Sequence, residues 1–225
     1  MLNHRKYSVF KYFCDKSHLE KFLHNGEVFF NTLSYFLSCE DLARIDITED
    51  ANVYMPSNGL EITISANNQK LKGHRGLISR VRRPDRVFVF CTSLELSKTL
   101  FQKFGADGCI EISDVQEFSN RISRHLRKSA HNIKNRKILS DNVEYYDFDE
   151  EPGVRYVCPD KIIMSKNKRF SDEKEHRIAF AKDADAFAVN NVNHTLTDTL
   201  EINAAPGVPK KLILGGLSDI AKVVM

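Results

Sequence analysis

Late in the chain, eleven residues read Phe170-Ser-Asp-Glu173-Lys-Glu175-His-Arg177-Ile-Ala-Phe180. Alternate side chains of an extended segment share a face. The spacing therefore predicts a strand over 173–180 with Glu173, Glu175 and Arg177 on one side and Ile178 and Phe180 in the core on the other. Two carboxylates and a guanidinium backed by core suit the wall of a polar cleft. There a fixed carboxylate stabilises a cation developing on a substrate, and a second carboxylate serves as general base. A solvated strand face with a cross-strand ion pair has the same pattern. Asp41, Asp46 and Glu49 read as solvated loop charges; grouped with Glu173 and Glu175 they would instead suit a metal-assisted nuclease.

The elements that must position these groups are short. Tyr7–Phe13 is aromatic and β-branched, which predicts a strand placing Val9, Lys11 and Phe13 on one face. Ser17-His-Leu-Glu20 reads as a capping box for a helix with Leu19, Phe22 and Leu23 inward, ended by Asn25-Gly26. Strands are predicted at Glu27–Asn31, Leu60–Ser65, Arg86–Cys91, Gly108–Ile112, Val143–Phe148, Val154–Val157, Glu175–Lys182 and Lys210–Leu214. Residues 35–50 read as a helical turn and a loop. Thr92 or Ser93 is expected to cap a helix carrying Leu96, Leu100 and Phe104. Asp114 opens another whose stripe is Val115, Phe118, Ile122 and Leu126. Strands outnumber helices without regular βαβ alternation, so the expected fold is α+β, a single domain with a mostly antiparallel sheet and flanking helices.

Composition narrows the classes. The 225 residues are 42% hydrophobic and 28% charged, which supports a real core and argues against disorder. No apolar run reaches the ~18–20 residues of a membrane helix, and the N-terminus lacks an apolar signal region. Five scattered cysteines without a CxxC pair suit reduced thiols and a cytoplasmic location rather than a disulfide or zinc framework. Net charge is only +3, but it is uneven: residues 70–86 carry seven Lys/Arg against one Asp, and residues 121–137 carry seven with no acid. Arg121, Arg124, Arg127 and Lys128, outward on their helix, are candidate phosphate contacts. Phosphate-loop, dinucleotide-fold, HExxH and GxSxG motifs are absent from the sequence, and no metal site is expected.

The order VFKYF, helix, GEVFFNTLSYF, FVFCTS, GCIEI and F-x-x-E-K-E-H-R-I resembles a bacterial family of uncharacterised proteins, over roughly Val9 to Phe180. FLSCED at Phe36–Asp41 departs from that family's Phe-Asn-Asp-Pro. The same order is similar to the ADP-ribosyltransferase superfamily. That resemblance implies a split-sheet fold and NAD as substrate. It assigns Glu175 as the catalytic carboxylate and Glu173 as general base. Lys11 and Tyr12 on the first strand, with Asn31, Thr32, Ser34 and Tyr35 in a nicotinamide clamp, would bind NAD. Arg177 or Arg44 would pair with the pyrophosphate. The first-strand His or Arg followed by Gly-Thr, usual in the superfamily, is missing here.

The chemistry fits those groups. Breaking the ribose–nicotinamide bond develops positive charge at the anomeric carbon, as in glycoside cleavage, and an ionised carboxylate stabilises that state more than the ground state. The resemblance further implies a cytoplasmic toxin or antiphage effector held silent by a partner protein; if the basic stretches 70–86 and 121–137 face the cleft, its acceptor is RNA or DNA. A non-catalytic nucleic-acid- or nucleotide-binding module is the competing expectation, with the metal-assisted nuclease a third.

Overall fold

A computed structural model describes residues 7–37, 46–64, 66–128, 133–134, 137–200 and 207–225. Along the chain come β1 (Val9–Phe13), α1 (Lys16–Asn25), β2 (Glu27–Thr32), α2 (Leu33–Leu37), β3 (Ala51–Tyr54), β4 (Leu60–Ile64) and β5 (Gln69–His74). Next are β6 (Gly76–Val81), β7 (Val87–Ser93), α3 (Lys98–Lys103), β8 (Gly108–Ile112), α4 (Val115–Lys128), β9 (Ile138–Asn142) and β10 (Glu144–Tyr146). The rest are α5 (Pro159–Ile163), β11 (Ser165–Asn167), β12 (Glu175–Ala181), β13 (Val192–Thr197), β14 (Lys210–Ile213) and β15 (Ala221–Val223). The fold is α+β, and among the described residues strand pairing is antiparallel except between β10 and β11.

An eight-stranded sheet runs β14-β2-β7-β1-β8-β15, with β12 paired to β7 and β9 to β12. The splitting occurs at β7. One edge of β7 pairs with β12 along its whole length, from Val87↔Ala181 to Ser93↔Glu175. The other edge is shared: β2 takes Phe88 and Val89 at one end, and β1 takes Ser93 at the other. Between them the edge of Phe90–Thr92 opens as a fork. Lys11 reaches into it from β1, its Nζ donating to the Cys91 carbonyl at 2.9 Å, so a backbone acceptor left by the splitting strands is satisfied.

Every residue of β12 is buried, as expected of a strand flanked on both edges and covered on both faces. Ile178 and Phe180 face an apolar cluster with Phe30, Phe88, Phe90, α1 (Leu19, Phe22) and α4 (Val115, Phe118, Ile122, Leu126). Each such side chain contributes roughly 1.5–3 kcal/mol on burial. Ala179 and Ala181 face the other cluster, with Val87, Val89, Leu33 and the α5 residues Ile162 and Ile163. Their small side chains leave room for a second layer, the three-stranded sheet β13-β6-β3. Position for position, Glu175 and Arg177 continue that second face.

Several local expectations are corrected. Asp15, not Ser17, caps α1, its carboxylate accepting from the Ser17 N–H at 2.6 Å. Ser97 caps α3, because β7 runs on through Ser93 and absorbs both proposed capping residues. Val154–Tyr156 is a 3-10 turn rather than a strand. Strand β6 lies inside the basic stretch 70–86. Gly26 ends α1 as anticipated, at φ 65°. A β-carbon there would sit 2.0 Å from the Gly215 carbonyl oxygen, so only glycine permits β14 to close onto β2.

Candidate active site

The fork in the sheet is the mouth of a cavity of about 150 Å3. Phe10, Lys11 and Tyr12 of β1 line one side, and Phe29 and Asn31 of β2 with Tyr35 and Phe36 of α2 line the other. Residues 89–93 of β7 form its floor. Glu49, Lys166, Glu173 and Glu175 close the polar end. A cavity of this volume has room for about one six-membered ring, here between aromatic walls and a charged end.

At the polar end the charges form a chain. Arg177 is completely buried, and its Nε and Nη2 donate to Glu175 Oε1 and Oε2 at 2.7 and 3.2 Å. Its Nη1 donates to the Ile163 carbonyl at 2.6 Å, and Nη2 lies 2.6 Å from Glu49 Oε1. Lys166 donates to Glu175 Oε2 at 3.0 Å and to Glu173 Oε2 at 2.7 Å. Lys103 continues the chain to Glu173 Oε1 at 3.1 Å and Asp172 Oδ2 at 2.9 Å.

Local backbone geometry aims these groups. Glu173 is not on the strand: it ends a 3-10 turn, and Lys174 takes a left-handed conformation at φ 43° before β12 begins. That turn brings both glutamates onto Lys166, a convergence that strand alternation alone would not give. The Ser93 hydroxyl donates to the Glu173 carbonyl at 2.8 Å. The Glu175 N–H donates to the Tyr145 hydroxyl at 2.8 Å, so both acids have fixed backbones.

Electrostatics separates the acids. Burial alone would raise the Glu175 carboxyl, but Arg177 and Lys166 outweigh it and hold it well below the usual carboxylate range. Burial lowers Lys166, yet Glu175, Glu49 and Glu173 hold its ammonium well above its ordinary value. For Glu49 burial prevails, pushing it up to about 8 despite Arg177 and Lys166. The Cys91 thiol is raised well above its ordinary value, first by burial and then by Glu175. On the opposite face of β12, His176 is buried between Tyr7, Thr92 and Ser140, and burial lowers it to about 4.

Of the residues singled out from the sequence, Glu173, Glu175, Lys11, Tyr12, Asn31 and Tyr35 come together on the cavity wall. Thr32 and Ser34 do not line it. They are buried beneath it, their hydroxyls 3.1 Å apart, with Thr32 Oγ1 accepting from the Tyr35 N–H and Ser34 Oγ from the Gly207 N–H. Arg177 lies behind Glu175 with protein partners on all three nitrogens, so it is a support for the carboxylate rather than a pyrophosphate ligand. Arg44 and Asp41 fall outside the described residues. Asp46 and Glu49, expected in solvent, are buried. Arg121 pairs with Glu117 and Asp219, and Arg124 with Glu117, while Arg127 and Lys128 are exposed. All four belong to α4, which covers the Ile178 face of β12, so the sheet separates them from Glu175.

Sequence reasoning missed Lys166, and placed Glu49 near Glu173 and Glu175 only under the nuclease alternative. No motif marks Lys166, whose only signal was a lysine following an apolar segment. Glu49 sat in an acidic run whose buried partner is distant in sequence. Comparisons of the chain with protein-family models, with curated proteins and with solved structures found no match.

Proposed function

We propose that the protein is an NAD-dependent ADP-ribosyltransferase whose catalytic carboxylate is Glu175. The observation that carries this reading is an ionised, doubly held carboxylate facing a ring-sized aromatic cavity at a fork in the sheet. Such a carboxylate is pre-oriented and needs no reorganisation as charge develops on the ribose, which is how a fixed charge accelerates a reaction. Tyr12, Tyr35 and Phe36 supply ring surfaces for nicotinamide, and Asn31 an amide for its carboxamide. The ribose and the rest of the dinucleotide extend out through the mouth, where Lys11 is the nearest cation on β1.

In this reading Arg177 and Lys166 are positioning residues that keep Glu175 ionised and aimed. Nucleic acid as acceptor rests on the two basic stretches of the sequence, a cytoplasmic setting on its scattered cysteines, and a toxin or antiphage role with a silencing partner on the resemblance alone. The α4 cations lend the acceptor no local support, since they lie across the sheet. Among the described residues no helix is long and apolar enough to cross a membrane.

The test is transfer of label. Purified protein is mixed with NAD labelled in its adenylate half and, in separate reactions, with RNA, DNA or cellular protein. Covalent label on one of these, lost in Glu175→Gln, is the expected result. No label on any of the three rules out transfer to these acceptor classes.

A further inference from the structure

We propose that Glu49, rather than Glu173, is the proton acceptor of this site, taking the proton of the incoming nucleophile while Glu175 steadies the ribosyl cation. The inference rests on the transferase reading above and departs from the sequence analysis in one role, the general base given there to Glu173.

A general base must line the cavity and keep a lone pair for the substrate. Glu173 lines it, but Lys103 takes one carboxylate oxygen and Lys166 the other. Glu175 has Arg177 on both oxygens and Lys166 on one of them. Glu49 also lines the cavity, and among the described residues Arg177 is its one ion-pair partner, Nη2 lying 2.6 Å from Oε1.

Placement favours Glu49 as well. Glu49 Oε1 and Glu175 Oε2 sit on the same Arg177 Nη2, at 2.6 and 3.2 Å. The two oxygens are therefore no more than about 6 Å apart, and both acids line the same cavity. Arg177 holds both acids in register, one from β12 and the other from the turn before β3.

The groups facing Glu49 set when it can act. Arg177 on β12 and Lys166 on β11 favour its charge; Glu175 on β12 and Asp46 on its own turn oppose it. Burial outweighs the cations and raises its carboxyl well above the usual carboxylate range, toward the pH at which a general base works best.

The C1′–N bond to nicotinamide breaks with both electrons passing to the ring nitrogen, so the pyridinium leaves as neutral nicotinamide. The nucleophile's oxygen or nitrogen gives a lone pair to C1′. Its proton passes to ionised Glu49, which returns it to solvent as product departs.

The experiment is the pH profile, from 5.5 to 9, of nicotinamide release from NAD with water as nucleophile, for the wild type, Glu49→Gln and Glu173→Gln. The wild-type rate should rise about tenfold per pH unit and level near pH 8. Glu49→Gln should lose this limb and run flat and slow. Glu173→Gln should keep it. Thermal midpoints show whether each variant is folded. Should Glu49→Gln fail to fold, Glu49→Asp must keep a limb but with a lowered plateau. A limb that survives in Glu49→Gln, or disappears only in Glu173→Gln, overturns the assignment while leaving the transferase reading intact. No nicotinamide release from the wild type at any pH overturns both.

Discussion

Replacing Arg177 with methionine removes the centre of the charge chain while keeping most of its volume. In the wild type this guanidinium gives two hydrogen bonds to Glu175, one to the Ile163 carbonyl, and an ion pair to Glu49. All of these partners are buried, so the variant strands two acids and a carbonyl away from water. Removing one partner of a buried ion pair costs about 3–5 kcal/mol. In a protein of this size each kcal/mol moves the melting midpoint by about 2–4 °C, so a fall of roughly 6–20 °C is expected. The cost should also depend on pH. Without Arg177 burial dominates at Glu175, and its folded pKa moves above its unfolded value. Stability linked to that group is then present at low pH and lost as pH rises through the folded pKa. The deficit relative to wild type should be larger at pH 8 than at pH 5. Urea unfolding at both pH values measures it. A loss below about 1 kcal/mol at pH 8, or one larger at pH 5, would refute the argument that Arg177 neutralises buried carboxylates.

His176 makes an independent claim about pH. Its folded pKa is depressed to about 4 by burial, from 6.5, so its contribution is complete above pH 6.5 and is lost as pH falls toward 4. The shift corresponds to roughly 3 kcal/mol. The wild type should lose about that much relative to His176→Gln between pH 7 and pH 4 in urea unfolding; parallel pH curves would show that the ring is not desolvated. Gly26→Ala should destabilise by at least about 1–2 kcal/mol, since alanine is strained at positive φ and its β-carbon meets the Gly215 carbonyl. A midpoint unchanged in denaturant titration would contradict the close approach of β14 to β2.

What the sequence could reveal was governed by periodicity. The stripe Val115, Phe118, Ile122 and Leu126 is the buried face of α4, and the alternation through Ile178 and Phe180 is the inward face of β12. The shared face of Glu175 and Arg177 was legible for the same reason. Glu173 was misplaced because the left-handed turn at Lys174 has no glycine or asparagine to announce it. Val154–Tyr156 has a strand-like composition, but Gly153 and Pro159 confine it to a tight turn before α5. Glu49 looked solvated because burial of an acid depends on cations supplied from elsewhere, here Arg177 and Lys166, and Asp46 because its cation, Arg169, is equally distant in sequence; no local pattern carries that information. The fork at β7 is likewise a property of pairing between distant strands, so the cavity itself was not visible in the sequence.

The central claim is that Glu175 stabilises a ribosyl cation formed from NAD. Nicotinamide release from NAD by the purified protein, compared with Glu175→Gln at matched thermal stability, tests it most directly. The account predicts release by the wild type and a loss of about a hundredfold or more in the variant, the scale seen when one preorganised electrostatic contact to a transition state is removed. Equal release by the two proteins would contradict it, as would none from the wild type.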